Sequence, residues 1–191
     1  MRFLLFGSLA VLALERLWEL RVSSRHVRAL RARGGVEHGA GHYRPLMVFH
    51  VLYFVALPVE VLLLARTPPR LWPLFAVVSL AGFALRNAAR LALGERWTAR
   101  VIVVPGLAPV RSGLYRWVRH PNYAGLVLEM LGLPLAFGAW LTTLYAALGN
   151  AVFVTIRIRT EERALGAAAG YAEAMAGIPR LVPGRRPRGG A

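Results

Sequence analysis

The 191-residue chain contains no cysteine, no lysine and no aspartate. Without thiols it can form no disulfide framework, no thiolate metal site and no cysteine nucleophile. Every acid is a glutamate and no H-E-x-x-H pattern occurs, so a metal centre has little to be built from. His38 and His42 stand four apart, but Gly39 and Gly41 argue against a helix that would bring them together, and no metal ligands are assigned. Also missing is a glycine-rich nucleotide fingerprint after a strand, which separates the chain from soluble doubly wound nucleotide-binding folds.

What remains is apolar and basic. Hydrophobic residues make up 57% of the chain and mean hydropathy is +0.48, above the usual soluble range. All 24 basic residues are arginines, and with nine glutamates the formal charge is +15. Such a charge can serve nucleic-acid binding. Here the arginines cluster between apolar runs, so membrane topology and contact with anionic headgroups account for them, and no nucleic-acid partner is expected. The first apolar segment is not read as a signal peptide: Arg2 is a thin n-region, no A-x-A site precedes the basic stretch, and further spans follow.

Apolar segmentation predicts an all-α, polytopic membrane protein with about five transmembrane helices. Span one covers 3–20 and carries Glu15, Arg16 and Glu19, either facing a protein interior or solvated at an interfacial helix end. Span two covers about 45–65, with His50, Pro58 and Glu60, and span three about 71–92, ending on Arg86 and Arg90. Those two arginines suit lipid headgroups or an anionic ligand. From Met130 to Ile156 no residue is charged, and Pro134 and Gly138 divide this stretch so that, with 122–129, it forms two short helices in a hairpin. The broken run Val101–Val110 reads as an extended turn or re-entrant flap. Five crossings place the amino terminus outside and the segments 21–44, 94–121 and 157–191 on the cytosolic side. Those three segments hold six, five and seven arginines, against two in the outer loop 66–70. The whole chain, 1–191, reads as a single membrane domain. The expected location is the cell membrane, multi-pass.

The densest polar segment precedes the hairpin: Gly113-Leu114-Tyr115-Arg116-Trp117-Val118-Arg119-His120-Pro121-Asn122-Tyr123. A second cluster, Arg157-Ile158 with Glu161-Glu162, Leu165 and Tyr171, follows span five. By themselves the aromatics also suit an interfacial belt, His120 a helix start, and the glutamates a solvated face. Glu129 is different. It lies well inside span four with no basic residue within four positions, which is costly unless it faces a polar cavity or is protonated. The expectation is that it lines an acceptor site.

The first of these segments resembles the G-x-Y-x-x-x-R-H-P-x-Y signature of the isoprenylcysteine carboxyl methyltransferase family. The second cluster resembles the family's Arg…Glu-Glu element, and Ile178-Pro179-Arg180-Leu181-Val182-Pro183 its closing element in shifted form. Residues in the first sixty, among them Glu15-Arg16, Glu19-Leu20, His42-Tyr43, His50 and Glu60, resemble more loosely a bacterial branch, some members of which O-methylate long-chain alkylpyrones. The resemblance implies an enzyme using S-adenosylmethionine in a pocket within a cofactor-binding catalytic core at 94–183, its active-site loops facing the cytoplasm, with a lipophilic acceptor arriving from the bilayer. It implies Tyr115, Arg119, His120, Pro121, Tyr123, Glu161 and Glu162 as the cofactor site, with Arg157 and Glu129 as catalytic candidates. The expected reaction is O-methylation of an enolic or phenolic hydroxyl of a long-chain polyketide. Alternatives are a prenylcysteine carboxylate, a phospholipid amine and a non-catalytic scaffold or small transporter subunit. A chain entering sideways is expected between spans three and four.

Overall fold

Among the described residues of a computed structural model, 2–166 and 170–183, five helices exceed fifteen residues. They are α1 (Arg2–Ala32), α2 (Ala40–Leu63), α3 (Trp72–Leu93), α4 (Pro121–Ala136) and α5 (Trp140–Gly166). A ribbon of β1 (Val36–His38) and β2 (Val101–Val103), and the short α6 (Tyr171–Ala174), complete the elements used below. The stretch 184–191, expected to be a frayed basic terminus, lies outside the described residues.

The chain is a multi-pass membrane protein. Three of its helices are long and apolar enough to cross a bilayer: Ala40–Leu63, Trp72–Arg96 and Trp140–Gly166, with mean hydropathies of 2.2, 1.4 and 1.4. Exposed leucines and valines line their outer faces, among them Val51, Val55, Leu80, Leu144 and Leu148. A lipid-facing surface has this character, because apolar side chains there meet acyl chains instead of water. The remaining two long helices differ for separate reasons. α1 carries Glu15, Arg16 and Glu19 in its middle, and α4 has 16 residues, about 24 Å of helix against a core of about 30 Å.

The segment 21–44, expected as a loop, is mostly ordered structure. α1 continues to Ala32 because its arginines, alanines and leucines favour helix and because Ser23 and Leu30 are buried. The chain then forms β1, whose residues Val36, Glu37 and His38 pair antiparallel with Val103, Ile102 and Val101. His38 therefore sits in a strand and His42 in α2, and no metal-binding group of histidines and carboxylates is found among the described residues. β2 is the start of the broken 101–110 run. Extended as expected, it is held against β1 and the end of α5, where Val101 and Val103 pack on Ala164.

α3 and α4 form the closest helix pair. A Cβ added at Gly82 would stand 2.5 Å from the Glu129 amide nitrogen, at Gly125 2.7 Å from the Gly82 carbonyl oxygen, and at Gly132 2.6 Å from the Ser79 amide nitrogen. Small residues let the two backbones touch, as in other membrane helix pairs. This closes the expected opening between spans three and four: backbone meets backbone where an acyl chain would have to pass. α4 and α5 are linked by Phe137-Gly138-Ala139, and contacts run from Tyr123 with Arg157 near one end to Met130 with Asn150 midway. Gly138 adopts φ 71°, and a Cβ there would stand 2.4 Å from the Thr67 carbonyl oxygen, so the turn tolerates only glycine. The first turn of α5 is capped from α2: Glu60 accepts the Leu141 and Thr142 amide hydrogens at 3.1 and 2.7 Å and the Thr142 hydroxyl at 2.8 Å.

Candidate functional site

The segment 113–123 folds over the ends of α3 and α5. Gly113–Arg116 is a single tight turn that buries Tyr115. Pro121 opens α4 at its first position, where a missing amide hydrogen costs nothing, and His120 precedes it, buried. The later tail binds this segment along its backbone. Arg119 and His120 donate their amide hydrogens to the Pro179 and Arg180 carbonyls, each at 2.9 Å, and Arg119 Nε donates to the Ile178 carbonyl at 2.7 Å.

The paired glutamates of α5 divide the work. Glu161 accepts from the Tyr123 hydroxyl at 2.9 Å, and that hydroxyl in turn accepts from Arg157 Nε at 3.0 Å. Glu162 points to the tail: Arg180 Nη2 stands 2.6 Å away, His120 Nε2 3.3 Å and Arg119 Nη1 3.4 Å. A cavity of about 150 Å³, more polar than the second one described below and called the polar cavity, is lined by Tyr115, Arg119, His120, Asn122, Tyr123, Arg157, Glu161 and Tyr171, and closed by Val101–Val104, Leu165 and Met175. Six expected site residues thus border one cavity, while Pro121 and Glu162 do not line it. Burial pushes the Tyr115 phenol up, with Glu161 adding to the effect, and burial beside Glu161 and Glu162 pushes Tyr171 up to about 12. Both hydroxyls therefore stay protonated, able to donate or accept.

A second cavity, about 430 Å³ and mostly apolar, lies between α1, α2, α4 and α5. Leu46, Met47, Phe54, Leu126, Phe153 and Val154 line it, and its rim includes the exposed Leu17 of α1 with Val51 and Val55 of α2. It shares Trp97, Thr98, Asn122, Tyr123 and Arg157 with the polar cavity.

Glu129 is not among the residues lining either cavity, contrary to the sequence expectation. Its carboxylate is enclosed by Arg16 and Arg86, the latter at 2.8 Å. Arg86 also bonds both Glu19 oxygens at 2.8 Å, Arg16 reaches Glu19 at 2.5 Å, and Arg90 lies 3.5 Å from Glu19 and over the Trp18 ring. Glu15 completes the cluster through Asn87 at 3.0 Å. Three arginines face three glutamates, so the intramembrane charges compensate one another, as the cost of isolated ones requires. Arg86 and Arg90 are thereby engaged by protein carboxylates instead of headgroups. Arg16, Glu19 and Arg86 reach the apolar cavity, and Glu129 stands behind them. The i,i+4 pairs Glu15/Glu19 and Arg86/Arg90 were the available sequence signal for this cluster. Asn122 and Trp97 gave none beyond their place in or beside the motif.

Comparison with known proteins gives the family. Residues 74–167 match the family model described as the isoprenylcysteine carboxyl methyltransferase (ICMT) family. The uncharacterized protein YpbQ of Bacillus subtilis is 36% identical over 157 residues, 82% of this chain and 94% of that protein. An uncharacterized Haemophilus influenzae protein is 28% identical over 151 residues, 78% and 88% of the two chains. The protein-S-isoprenylcysteine O-methyltransferase of Schizosaccharomyces pombe is 34% identical over 76 residues, 39% of this chain and 32% of that enzyme. With multi-pass helices joined to these matches, the chain belongs to the isoprenylcysteine carboxyl methyltransferase family and is an S-adenosylmethionine-dependent membrane methyltransferase for a lipophilic acceptor.

Proposed function

We propose that the polar cavity holds S-adenosylmethionine, the apolar cavity holds the acceptor, and methyl transfer takes place at their shared wall. The observation that carries this reading is the placement of Arg157, buried and bordering both cavities. The donor set fits the cofactor. Glu161 offers an acceptor for hydroxyl or amine hydrogens, Arg119 a partner for a carboxylate, Tyr115 and Tyr171 neutral hydroxyls beside apolar walls, and the buried Asn122 Oδ1 has no partner among the described residues. S-Adenosylmethionine supplies an electrophilic methyl group on a sulfonium. The chain's own contribution is alignment in a dry site. The Tyr123 hydroxyl, fixed between Arg157 and Glu161, sets both side chains, and the Arg157 guanidinium attracts an anionic oxygen at the head of the acceptor. Arg119, His120 and Glu162 fasten the tail to the motif and to α5, and Pro121 starts α4 beside them. Glu129 acts indirectly, by holding Arg16 and Arg86 at the acceptor wall.

An arginine at the transfer point favours an acceptor oxygen that is already ionised, so no strong base is required. A carboxylate at the end of a prenyl-like chain, as on a prenylated cysteine, fits this best and is the acceptor class named by the Schizosaccharomyces pombe relative. The enolic or phenolic hydroxyl of a long-chain polyketide is the second reading. It is kept because the α1 and α2 residues that line the acceptor cavity fall outside the 74–167 family match. In either case the chain enters between α1 and α2, past Leu17, Val51 and Val55. We further infer five crossings of the cell membrane, with α4 and α5 as a hairpin and the 94–183 core facing the cytoplasm. Cysteines introduced at Pro68 and Ser112 should then label from opposite sides, and labelling from the same side defeats this topology.

Acceptor class is tested by incubating membranes containing the protein and a labelled methyl donor with a prenylcysteine analogue, an alkylpyrone, an alkylresorcinol or phosphatidylethanolamine. Base-labile, volatile label from the first is the expected result. Base-stable label in the pyrone or resorcinol alone moves the assignment to the second reading. Label in phosphatidylethanolamine alone defeats O-methylation.

A further inference from the structure

Five side chains border both cavities, and four of them have work within the protein. Tyr123 and Arg157 bond each other, the Thr98 hydroxyl donates to the Arg100 carbonyl at 2.5 Å, and Arg90 lies over the Trp97 ring. Asn122 is the exception. Its Oδ1 is buried and has no hydrogen-bond partner among the described residues, although Asn122 borders both the polar and the apolar cavity. An enclosed acceptor without a donor costs free energy, and native structures leave few of them unless a ligand completes the bond. The other unpartnered buried atoms among the described residues belong to Glu15, His42, Tyr53, Arg86 and Arg90, none of which lines the polar cavity.

We propose that Asn122 is a positioning residue whose Oδ1 accepts the polarised C–H groups of the methylsulfonium of bound S-adenosylmethionine, aiming the methyl at the acceptor cavity. This rests on the reading of the two cavities given above. A sulfonium draws electron density from its methyl group, so the methyl hydrogens become weak donors toward a carbonyl oxygen. The chemistry of the wall suits that cation. An amide oxygen is a poor nucleophile and leaves the methyl available, whereas a carboxylate in its place would compete with the acceptor for it. Arg157, the charged member of the same wall, repels a sulfonium and attracts an anionic acceptor. The two side chains thus divide the wall, with a neutral oxygen for the donor and a cation for the acceptor.

The test compares S-adenosylmethionine with S-adenosylhomocysteine, which lacks the methyl and its positive charge and keeps every other group. Binding of both is measured by titration calorimetry on the detergent-purified full-length wild type, Asn122→Ala and Asn122→Asp. Asn122→Ala should weaken S-adenosylmethionine roughly three- to fivefold, the range of a lost C–H···O contact, and leave S-adenosylhomocysteine unchanged. Asn122→Asp keeps an oxygen acceptor and should retain the preference for the methylated ligand. Equal weakening of both ligands in Asn122→Ala would assign the oxygen to the adenine, ribose or amino-acid end and overturn the proposal. Unchanged affinities with reduced turnover would assign it to the acceptor and overturn it equally. Wild type that binds neither ligand would instead defeat the assignment of the cavities.

Discussion

Replacing Glu129 by glutamine removes one charge from a cluster of three arginines and three glutamates with hardly any access to solvent. The Glu129 side chain is 3% exposed and Arg86 5%, while Arg16 is 18% exposed. Taking away one partner of a buried pair leaves an uncompensated ion and costs about 3–5 kcal/mol. Arg16 has some access to solvent and Glu19 still engages both arginines, so the lower end, about 3 kcal/mol, is expected for Glu129→Gln. That is roughly a 150-fold shift in the unfolding equilibrium. Equilibrium unfolding in mixed micelles measures it. Because Glu129 does not border the polar cavity, S-adenosylhomocysteine affinity should not change while the protein is folded. A double-mutant cycle adds a second requirement. Arg86→Met combined with Glu129→Gln removes opposite charges together, so the pair should be less destabilised than the sum of the singles by about 1 kcal/mol or more. Unfolding of Glu129→Gln within about 0.5 kcal/mol of wild type, or strict additivity in the cycle, would refute the view that these charges stabilise one another.

Three further outcomes are expected. Gly125→Leu should destabilise by about 1–3 kcal/mol, since even a Cβ would stand 2.7 Å from the Gly82 carbonyl oxygen; unfolding in the same micelles would detect it, and a neutral result would refute close α3–α4 packing. Glu162→Ala should weaken S-adenosylhomocysteine binding by calorimetry about tenfold or more, by freeing His120 and Arg119 from α5, whereas the exposed Arg180→Ala should matter much less. Burial opposes ionisation of Glu37, but Arg100 at 2.7 Å and then Arg31 hold its carboxyl below the ordinary value. A depressed folded pKa contributes stability that is present above the ordinary carboxylate range and is lost as pH falls through the folded value. Hydrogen-exchange protection of β1 and β2 should therefore drop on acidification, and protection that rises or stays level would contradict the sign.

Legibility in the sequence followed the range of the interactions. Pro134 and Gly138 marked the break between α4 and α5 because a turn is a local event, and Glu161-Glu162 could be placed on a helix. Which glutamate faces the cavity could not be read, since Tyr123, 38 residues away, and Arg180 from the tail decide it. Glu129 looked isolated for the same reason. Its partners Arg16 and Arg86 are 113 and 43 residues away, on helices whose rotation the local pattern does not fix. The ribbon between β1 and β2 was equally hidden. Three-residue strands are too short to show alternation, and their pairing joins segments that read as separate loops. The opening expected between spans three and four meets a closed seam, because Gly82, Gly125 and Gly132 are informative only once they are known to face each other.

The backbone bonds from Arg119 and His120 to Pro179 and Arg180 also set an order of events in time. Residues 178–180 are made after all five long helices, so the chain can place its apolar segments in the bilayer while the wall of the polar cavity is still open. If the polar cavity holds the methyl donor as proposed, that donor meets a finished site only when the last of these residues has folded back across the motif. On that assignment, assembly of the site is deferred until the helices around it are already in place.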